Sequence, residues 1–241
     1  MAIPDKWDVP ASLRERIGKT IGRQRAIQEE DHTLIMVHQA PSAKEKVRKG
    51  AYCWINPKGE LHFYPEGETF EHLFAGYRKK LTHLEYEYEN ADTALKYFTV
   101  LEAIIPLHFA AVRMASALQM ARDQIPTNRQ VLLWRDDSFE IQRESEILQV
   151  CTKNALDYHQ AKSVEDLSEI TFQLSKTSHK LNMMATLFVP MMAICGLFGM
   201  NVFSGLEHED RFPLFWIIAA VSILLGIGLN LFFRPPKKKA E

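Results

Sequence analysis

The chain has 241 residues, enough for one medium-sized globular domain or for a smaller domain followed by a membrane segment. Its 29 Lys and Arg residues are balanced by 30 Asp and Glu residues, so the sequence lacks the basic excess of a nucleic-acid-binding domain and we expect no nucleic-acid partner. Its three cysteines, Cys53, Cys151 and Cys195, are far apart and form no metal-binding or disulfide spacing, so we expect reduced thiols.

The N-terminal part, residues 1–66, has the pattern of a small mixed α/β segment. It begins with acidic residues and no apolar run, so we expect no signal peptide and a cytosolic location. Residues 11–28 alternate apolar and basic positions in a helix-like way, and residues 56–59 (Asn-Pro-Lys-Gly) suit a type I turn. β-Branched and aromatic residues predict strands at 32–38, 51–55 and 60–64.

Residues 67–180 are predicted to be a cytosolic helical region. Thr69 and Asp92 are suitable helix N-caps, and Pro126 marks a break between helices. The apolar run at 101–112 includes a glutamate and Pro106, so it predicts a kinked core helix rather than a membrane span.

A long helix, which we call the stalk helix, is predicted over about residues 138–200, with its cytosolic part at 138–180. Small and apolar side chains recur along it at spacings of three and four, which places them in one narrow stripe. The stripe consists of Val164, Leu167, Thr171, Leu174, Ser178, Leu181 and Ala185. Such a stripe suits identical helices that meet around an axis, and it suits equally a seam that packs on other helices of the same chain.

Two stretches without charged residues, 181–206 and 212–233, are each long enough to cross roughly 30 Å of hydrocarbon. The segment before them and the tail at 234–241 are basic, whereas the loop at 207–211 is acidic. The positive-inside rule therefore predicts that both ends face the cytosol and that the loop faces out. We expect a multi-pass protein of the cell's inner (plasma) membrane, in contact with lipid.

The first span ends in Gly199-Met200-Asn201, about eleven residues after Pro190, and is followed by the acidic loop, the final span and the basic tail. This arrangement resembles the CorA superfamily of divalent-cation transporters, which includes the ZntB branch. The N-terminal half is short for that superfamily and is similar to bacterial members of the CmaX type. The resemblance implies a mainly α-helical membrane protein, with a small α/β N-terminal part and a stalk helix that continues into the first of two C-terminal transmembrane helices.

The resemblance also implies a homopentamer in which the first spans line a central pore. Gly199, Met200 and Asn201 would form the selectivity filter, and Asn201 would bind the metal ion through its hydration water. The pore-lining positions would be Gly196, Met192, Val189, Ala185, Leu181 and Ser178. The loop residues Glu207, His208, Glu209 and Asp210 would attract cations at the outer mouth.

No phosphate-binding loop, metalloprotease motif or nucleophile elbow occurs in the sequence, so we expect no enzyme and no resident cofactor. His208 beside three acids favours Zn²⁺ slightly over Mg²⁺ as the transported cation, because imidazole suits zinc better. The pore-facing Met192, Val189 and Leu181 are apolar, which leaves a second hypothesis. The chain would then be a membrane scaffold or stress-signalling protein that keeps the CorA hairpin and does not conduct.

Overall fold

The structure is a computed structural model, and it describes residues 3–18, 22–42 and 48–199 together with 217, 220, 221, 223, 224 and 226–228. It is mainly helical, with a small antiparallel sheet near the N-terminus and a long last helix. The chain divides into two compact units, Met1–Lys162 and Ser163–Glu241. The mainly helical class, the small N-terminal sheet and the long stalk helix confirm those parts of the predicted fold.

The sheet is an antiparallel meander of four strands in the order β1-β2-β3-β4. The strands are preceded by a short helix, α1, over Ala11–Glu15. Their bounds are Arg25–Glu29 for β1, His32–His38 for β2, Gly50–Ile55 for β3 and Leu61–Tyr64 for β4. The hairpin between β3 and β4 turns at residues 56–59, as the sequence predicts, and the Gly59 amide donates to the Asn56 carbonyl over 2.9 Å.

Both faces of the sheet are covered, because successive side chains of a strand point to opposite faces. On one face, residues such as Ile35 and Cys53 join the main core with the helices. On the other face, Leu34 and Trp54 pack against the N-terminal segment through Trp7 and neighbouring apolar residues. Burial raises the pKa of the Cys53 thiol far above its usual range, so this cysteine stays protonated and behaves as an apolar core residue.

The helix-like pattern of residues 11–28 is wrong as a description of the whole segment. The helix α1 ends at Glu15, and Gly22 adopts a φ of 59°, a left-handed conformation that a helix cannot contain. Arg25–Glu29 forms β1 instead and pairs with β2 across a two-residue turn, in which Glu30 and Asp31 both have positive φ. Positive φ at both positions is the geometry of the tight hairpin turns that match strand twist.

Two helices pack on the face of the sheet that carries Ile35 and Cys53. They are α2 over Phe70–Glu89 and α3 over Ala94–Gln124. The Thr69 hydroxyl caps α2 by accepting from the His72 amide over 3.2 Å, which confirms the predicted cap. The predicted cap at Asp92 is wrong: Thr93 occupies the N-cap of α3, and the Asp92 carboxylate pairs with Lys96 over 2.9 Å.

Among the described residues, α3 is the one helix that has both the length and the hydropathy to cross a membrane. Its side chains Ile104, Leu107 and Met114 are nearly inaccessible and belong to the main core. α3 packs on β1, β2 and α2, and it contains Pro106. These contacts are those of a core helix, as the sequence predicts for residues 101–112.

The last helix, α4, extends over Arg129–Gly199 and includes Pro190. It begins after Pro126, at the predicted break, and earlier than the predicted start at about residue 138. The few described residues of the predicted second span, such as Val221 and Ile227, are helical, and the rest of that span lies outside the described residues. The two-span arrangement therefore stays a prediction.

Candidate functional site

The N-terminal part of α4 is fastened to α2 through a hydrogen bond at the start of α2. The Trp134 indole N–H donates to the Glu71 carboxylate over 3.1 Å, while the Trp134 ring is almost completely buried and packs 4.4 Å from Phe70 between ring centroids. Partial burial alone would raise the pKa of Glu71. Hydrogen bonds from its own amide, the Trp134 indole and the Thr69 hydroxyl outweigh that effect and hold its pKa below the usual value. Glu71 is therefore an ionised anchor for Trp134.

Two further polar contacts fix this part of α4. The Arg78 guanidinium of α2 donates to Asp137 over 2.8 Å and to Glu140 over 3.0 Å. The His108 ring of α3 lies 3.0 Å from the Ser145 hydroxyl, which itself donates to the Gln142 carbonyl. The three side chains of α4 that make these contacts lie within about two turns of the helix, so they hold residues 137–145 against α2 and α3.

The face of α4 that these contacts turn inward is buried. Its residues follow one another at spacings of three and four: Val131, Trp134, Ser138, Ile141, Ser145, Leu148, Thr152 and Leu156, all at most 8% exposed. The Ser138 and Thr152 hydroxyls donate to backbone carbonyls of the same helix, so their burial leaves no hydrogen bond unmade. In residues 129–162, α4 therefore finds its packing partners within its own chain.

The continuation of α4 in the second unit differs in its solvent exposure. Between Ser163 and Ala185 every residue of the helix is exposed, including the large apolar ones. Along the predicted stripe, Val164, Leu167 and Leu174 are 67%, 62% and 70% exposed. Monomeric soluble proteins rarely expose apolar surface on this scale, so this part of α4 needs a partner or lipid to cover it.

The structure places all six predicted pore-lining positions on α4, and each of them is exposed: Ser178, Leu181, Ala185, Val189, Met192 and Gly196. No side chain of the described residues crosses this face. A Cβ atom built on Gly196 would meet nothing within 4 Å, so packing within the chain does not require glycine there.

The proposed ion contacts lie mostly beyond the described residues. Gly199 is the last residue of α4. Met200, Asn201 and the loop residues Glu207, His208, Glu209 and Asp210 lie outside the part of the chain that the structure describes. Within that part, no three His, Cys, Asp or Glu side chains are grouped so as to hold a metal ion.

Two threonine hydroxyls in the second unit donate to backbone carbonyls of the same helix. The Thr171 hydroxyl donates to the Leu167 carbonyl over 2.7 Å, and the Thr186 hydroxyl donates to the Asn182 carbonyl over 2.8 Å. A hydroxyl bonded in this way can enter an apolar environment without an unmade hydrogen bond. In the described part of the first predicted span, the Thr186 hydroxyl is bonded in this way and can enter the hydrocarbon.

Sequence analysis did not find the residues that anchor α4. Glu71, Arg78 and His108 lie on α2 and α3, and their partners on α4 are more than thirty positions away in the chain. The signal that could have located the partner face is the spacing of Val131 and Trp134 and their successors, since it continues the stripe toward the N-terminus. This spacing does not identify the residues of α2 and α3 that contact that face.

No curated protein sequence matches the chain significantly. Among solved structures, the chain is similar to the CorA magnesium transporter of Methanocaldococcus jannaschii, with 19% identity, 90% of this chain and 80% of that chain covered, and a TM-score of 0.42. It is also similar to the ZntB cytoplasmic domain of Vibrio parahaemolyticus RIMD 2210633, with 10% identity, coverages of 66% and 80%, and a TM-score of 0.42. For the full-length CmaX protein the identity is 12%, the coverages are 86% and 76%, and the TM-score is 0.44.

TM-scores below 0.5 carry no argument about this chain, so the family assignment depends on the sequence. The profile of the family described as "CorA-like Mg2+ transporter protein" matches residues 68–238. The match covers more than half of the chain and includes α2, α3, α4 and both predicted spans. It confirms the resemblance read from the end of the first span and the basic tail. The chain belongs to the CorA-like Mg²⁺ transporter family.

Proposed function

We propose that the protein is a homopentameric divalent-cation transporter of the inner membrane, in which five copies of α4 surround a pore. Members of this family are transporters and not enzymes. The observation that carries the proposal is the exposed stripe of α4 between Val164 and Met192, which no described residue of the chain covers. Five-fold packing of that stripe would remove its apolar side chains from water.

The chemistry of the outer mouth follows from the amide of Asn201. A small divalent ion gives up its hydration water reluctantly. A ring of carboxamide oxygens would accept hydrogen bonds from that water and hold the hydrated ion without the tight binding of five carboxylates. Glu207, Glu209 and Asp210, repeated by the symmetry of the assembly, would raise the cation concentration at this ring.

For the transported ion, we favour Zn²⁺ slightly over Mg²⁺ on the basis of His208. Imidazole nitrogen is a good ligand for zinc and a poor one for magnesium. Mg²⁺ is the alternative, and the description of the matching family names it. His208→Ala separates the two: with Zn²⁺ as substrate the variant should lose Zn²⁺ uptake relative to Mg²⁺ uptake, whereas a Mg²⁺ transporter should keep its ratio of the two.

The decisive experiment is ion uptake into proteoliposomes, measured with internal dyes for Zn²⁺ and for Mg²⁺. Wild-type protein should take up at least one ion faster than empty vesicles do, and Asn201→Ala should lose uptake or selectivity. Asn182→Ala is the matched control, because it removes the same carboxamide from α4 at a position outside the predicted pore-lining set. Equal uptake by wild type and Asn201→Ala would contradict the role of Asn201.

A second candidate function is a membrane scaffold or stress-signalling protein that assembles in the same way and does not conduct. The specific observation that favours it is the apolar character of Leu181, Val189 and Met192, since an apolar constriction excludes water and ions. A scaffold should give the native mass of the assembly and no uptake of either ion, in the wild type as well as in Asn201→Ala.

A further inference from the structure

A cavity of about 380 Å³ lies in the first unit, where the end of β2 meets the middle of α3. This volume is within the range of pockets that bind small molecules, about 300–1,000 Å³. Its lining includes two arginines, Arg48 and Arg113, and an aromatic ring, Phe109. Nothing in the proposed transport function uses this cavity.

The two arginines are available to a ligand. Other arginines of the chain pair with carboxylates, for example Arg16 with Glu29 and Arg78 with Asp137. Arg48 and Arg113, by contrast, make no ion pair and no hydrogen bond within the described part of the chain. Among the described residues, neither of these two positive charges of the cavity has a carboxylate partner. Guanidinium groups in such a place present planar forks of N–H donors that match the oxygens of a phosphate or a carboxylate.

The floor of the cavity is built from buried polar groups. Gln24, 3% exposed, donates to the Ala110 carbonyl over 2.9 Å and accepts from the His38 amide over 3.1 Å, so it ties α3 to β2. The His38 side chain is 8% exposed and donates to the Gly22 carbonyl. These bonds fix the end of β2 against α3, the helix that carries Arg113.

Arg48, Arg113 and His38 all line this one cavity. Desolvation by burial lowers the pKa of His38 most, and the positive charges of Arg48 and Arg113 lower it further. Both arginines therefore present positive charge to the same cavity. A ligand with a compact double negative charge would meet both of them.

We propose that this cavity binds a phosphate monoester, with the phosphoryl group between Arg48 and Arg113 and the organic part against Phe109 and Pro106. The cavity is larger than an inorganic phosphate ion needs. Phe109 is 56% exposed beside it, and an exposed aromatic ring offers a flat surface to a base or an acyl chain. The phosphoryl group could belong to a soluble nucleotide or to a lipid headgroup, and the experiment distinguishes these sources.

The test is calorimetric titration of the full chain in detergent with AMP, with inorganic phosphate, and with vesicles that contain phosphatidic acid in phosphatidylcholine. AMP that binds at least tenfold more tightly than inorganic phosphate indicates a soluble ester. Binding to the phosphatidic acid vesicles, without AMP binding, indicates a lipid. In either case Arg48→Gln and Arg113→Gln should each weaken binding about tenfold or more, since each removes charge-assisted hydrogen bonds.

Lys58→Gln is the matched control, because it removes one positive charge at the opposite end of β3, in the exposed turn after Ile55. It should leave binding unchanged. The proposal is overturned if none of the three probes binds, if inorganic phosphate binds as tightly as AMP and the vesicles do not bind, or if Lys58→Gln weakens binding as much as the two arginine variants do. Ion uptake has no part in this readout, so the result is independent of the proposed transport.

Discussion

The two parts of α4 carry the same spacing of side chains and meet different surroundings. From Val131 to Leu156 the residues at steps of three and four are buried by α2 and α3 of the same chain, and Ile141 is completely buried. From Val164 to Ala185 the same steps are exposed, and Leu174 is 70% exposed. The spacing thus predicts that a helix face will be covered, and the neighbouring elements decide whether the cover comes from the same chain.

The largest effect should come from a charge in the exposed stripe. We predict that Leu174→Asp abolishes assembly, because a closed apolar seam would have to bury a carboxylate without a partner from every copy. Native mass in detergent is the measurement, with the pentamer expected for the wild type and the monomer for the variant.

Phe172→Asp is the control for that substitution, because Phe172 is just as exposed, at 71%, and lies off the stripe. It should leave the native mass of the assembly unchanged. If both variants assemble, or if both dissociate, the stripe is not the surface at which the copies meet.

The buried part of α4 should respond in stability rather than in assembly. We predict that Ile141→Ala lowers the free energy of unfolding by roughly 2–5 kcal/mol, since it leaves a cavity among α2, α3 and α4. Urea unfolding of the full chain, followed by tryptophan fluorescence, is the measurement. Ile170→Ala removes the same atoms from a side chain that is 61% exposed and should change that free energy by less than about 0.5 kcal/mol. Equal costs at the two positions would contradict the contrast between the two parts of the helix.

The accuracy of the sequence-based prediction also differs along the chain. It is high where local pattern determines an element and low where neighbouring elements do. The bounds of β2 are predicted as observed, because residues 32–38 consist of apolar and β-branched residues that a doubly covered strand requires. β1 is not predicted, because its Arg25, Gln28 and Glu29 resemble a helix surface and its identity depends on pairing with β2. Local pattern determines β2, whereas β1 depends on its tertiary pairing with β2.

In the candidate site, too, the features set by local pattern are predictable from the sequence and those set by tertiary packing are not. The stripe from Val164 to Ala185 is visible in the sequence, because a helical repeat is a local property. The anchors at Glu71 and Arg78 are not visible, because they depend on which helices become neighbours. The cavity beside Arg113 is likewise invisible, since Arg48 and Arg113 are brought together by the packing of α3 on the sheet.

Within the exposed stripe, a polar side chain should ease ion passage. We predict that Met192→Thr raises ion uptake roughly tenfold, which corresponds to about 1.4 kcal/mol of barrier, because a hydroxyl weakens the dewetting of an apolar constriction. Thr186 shows that α4 accommodates a threonine with its hydroxyl bonded to the preceding turn. Uptake into proteoliposomes is the measurement. Met191→Thr is the control, since it changes the adjacent methionine outside the predicted pore-lining set, and it should leave uptake as in the wild type.

The smallest effect concerns the anchor at Glu71, and it depends on pH. The pKa of Glu71 is lower in the folded chain than its usual value of 4.5, so the ionised carboxylate favours the folded chain above that pH. This contribution is lost as the pH falls from about 4.5 through the folded-state pKa. Because the side chain is largely exposed, we expect Glu71→Gln to cost less than about 1 kcal/mol at pH 7.

The glutamine keeps an oxygen for the Trp134 indole and removes only the charge, so the wild type and Glu71→Gln should converge in stability well below pH 4.5. Urea unfolding at a series of pH values measures this convergence. Glu71→Asp keeps the charge at the start of α2 and shortens the reach toward Trp134, so it should lose the indole bond and keep the pH dependence. Equal stability of the wild type and Glu71→Gln at every pH would show that the indole bond, and not the carboxylate charge, makes Glu71 the anchor of α4.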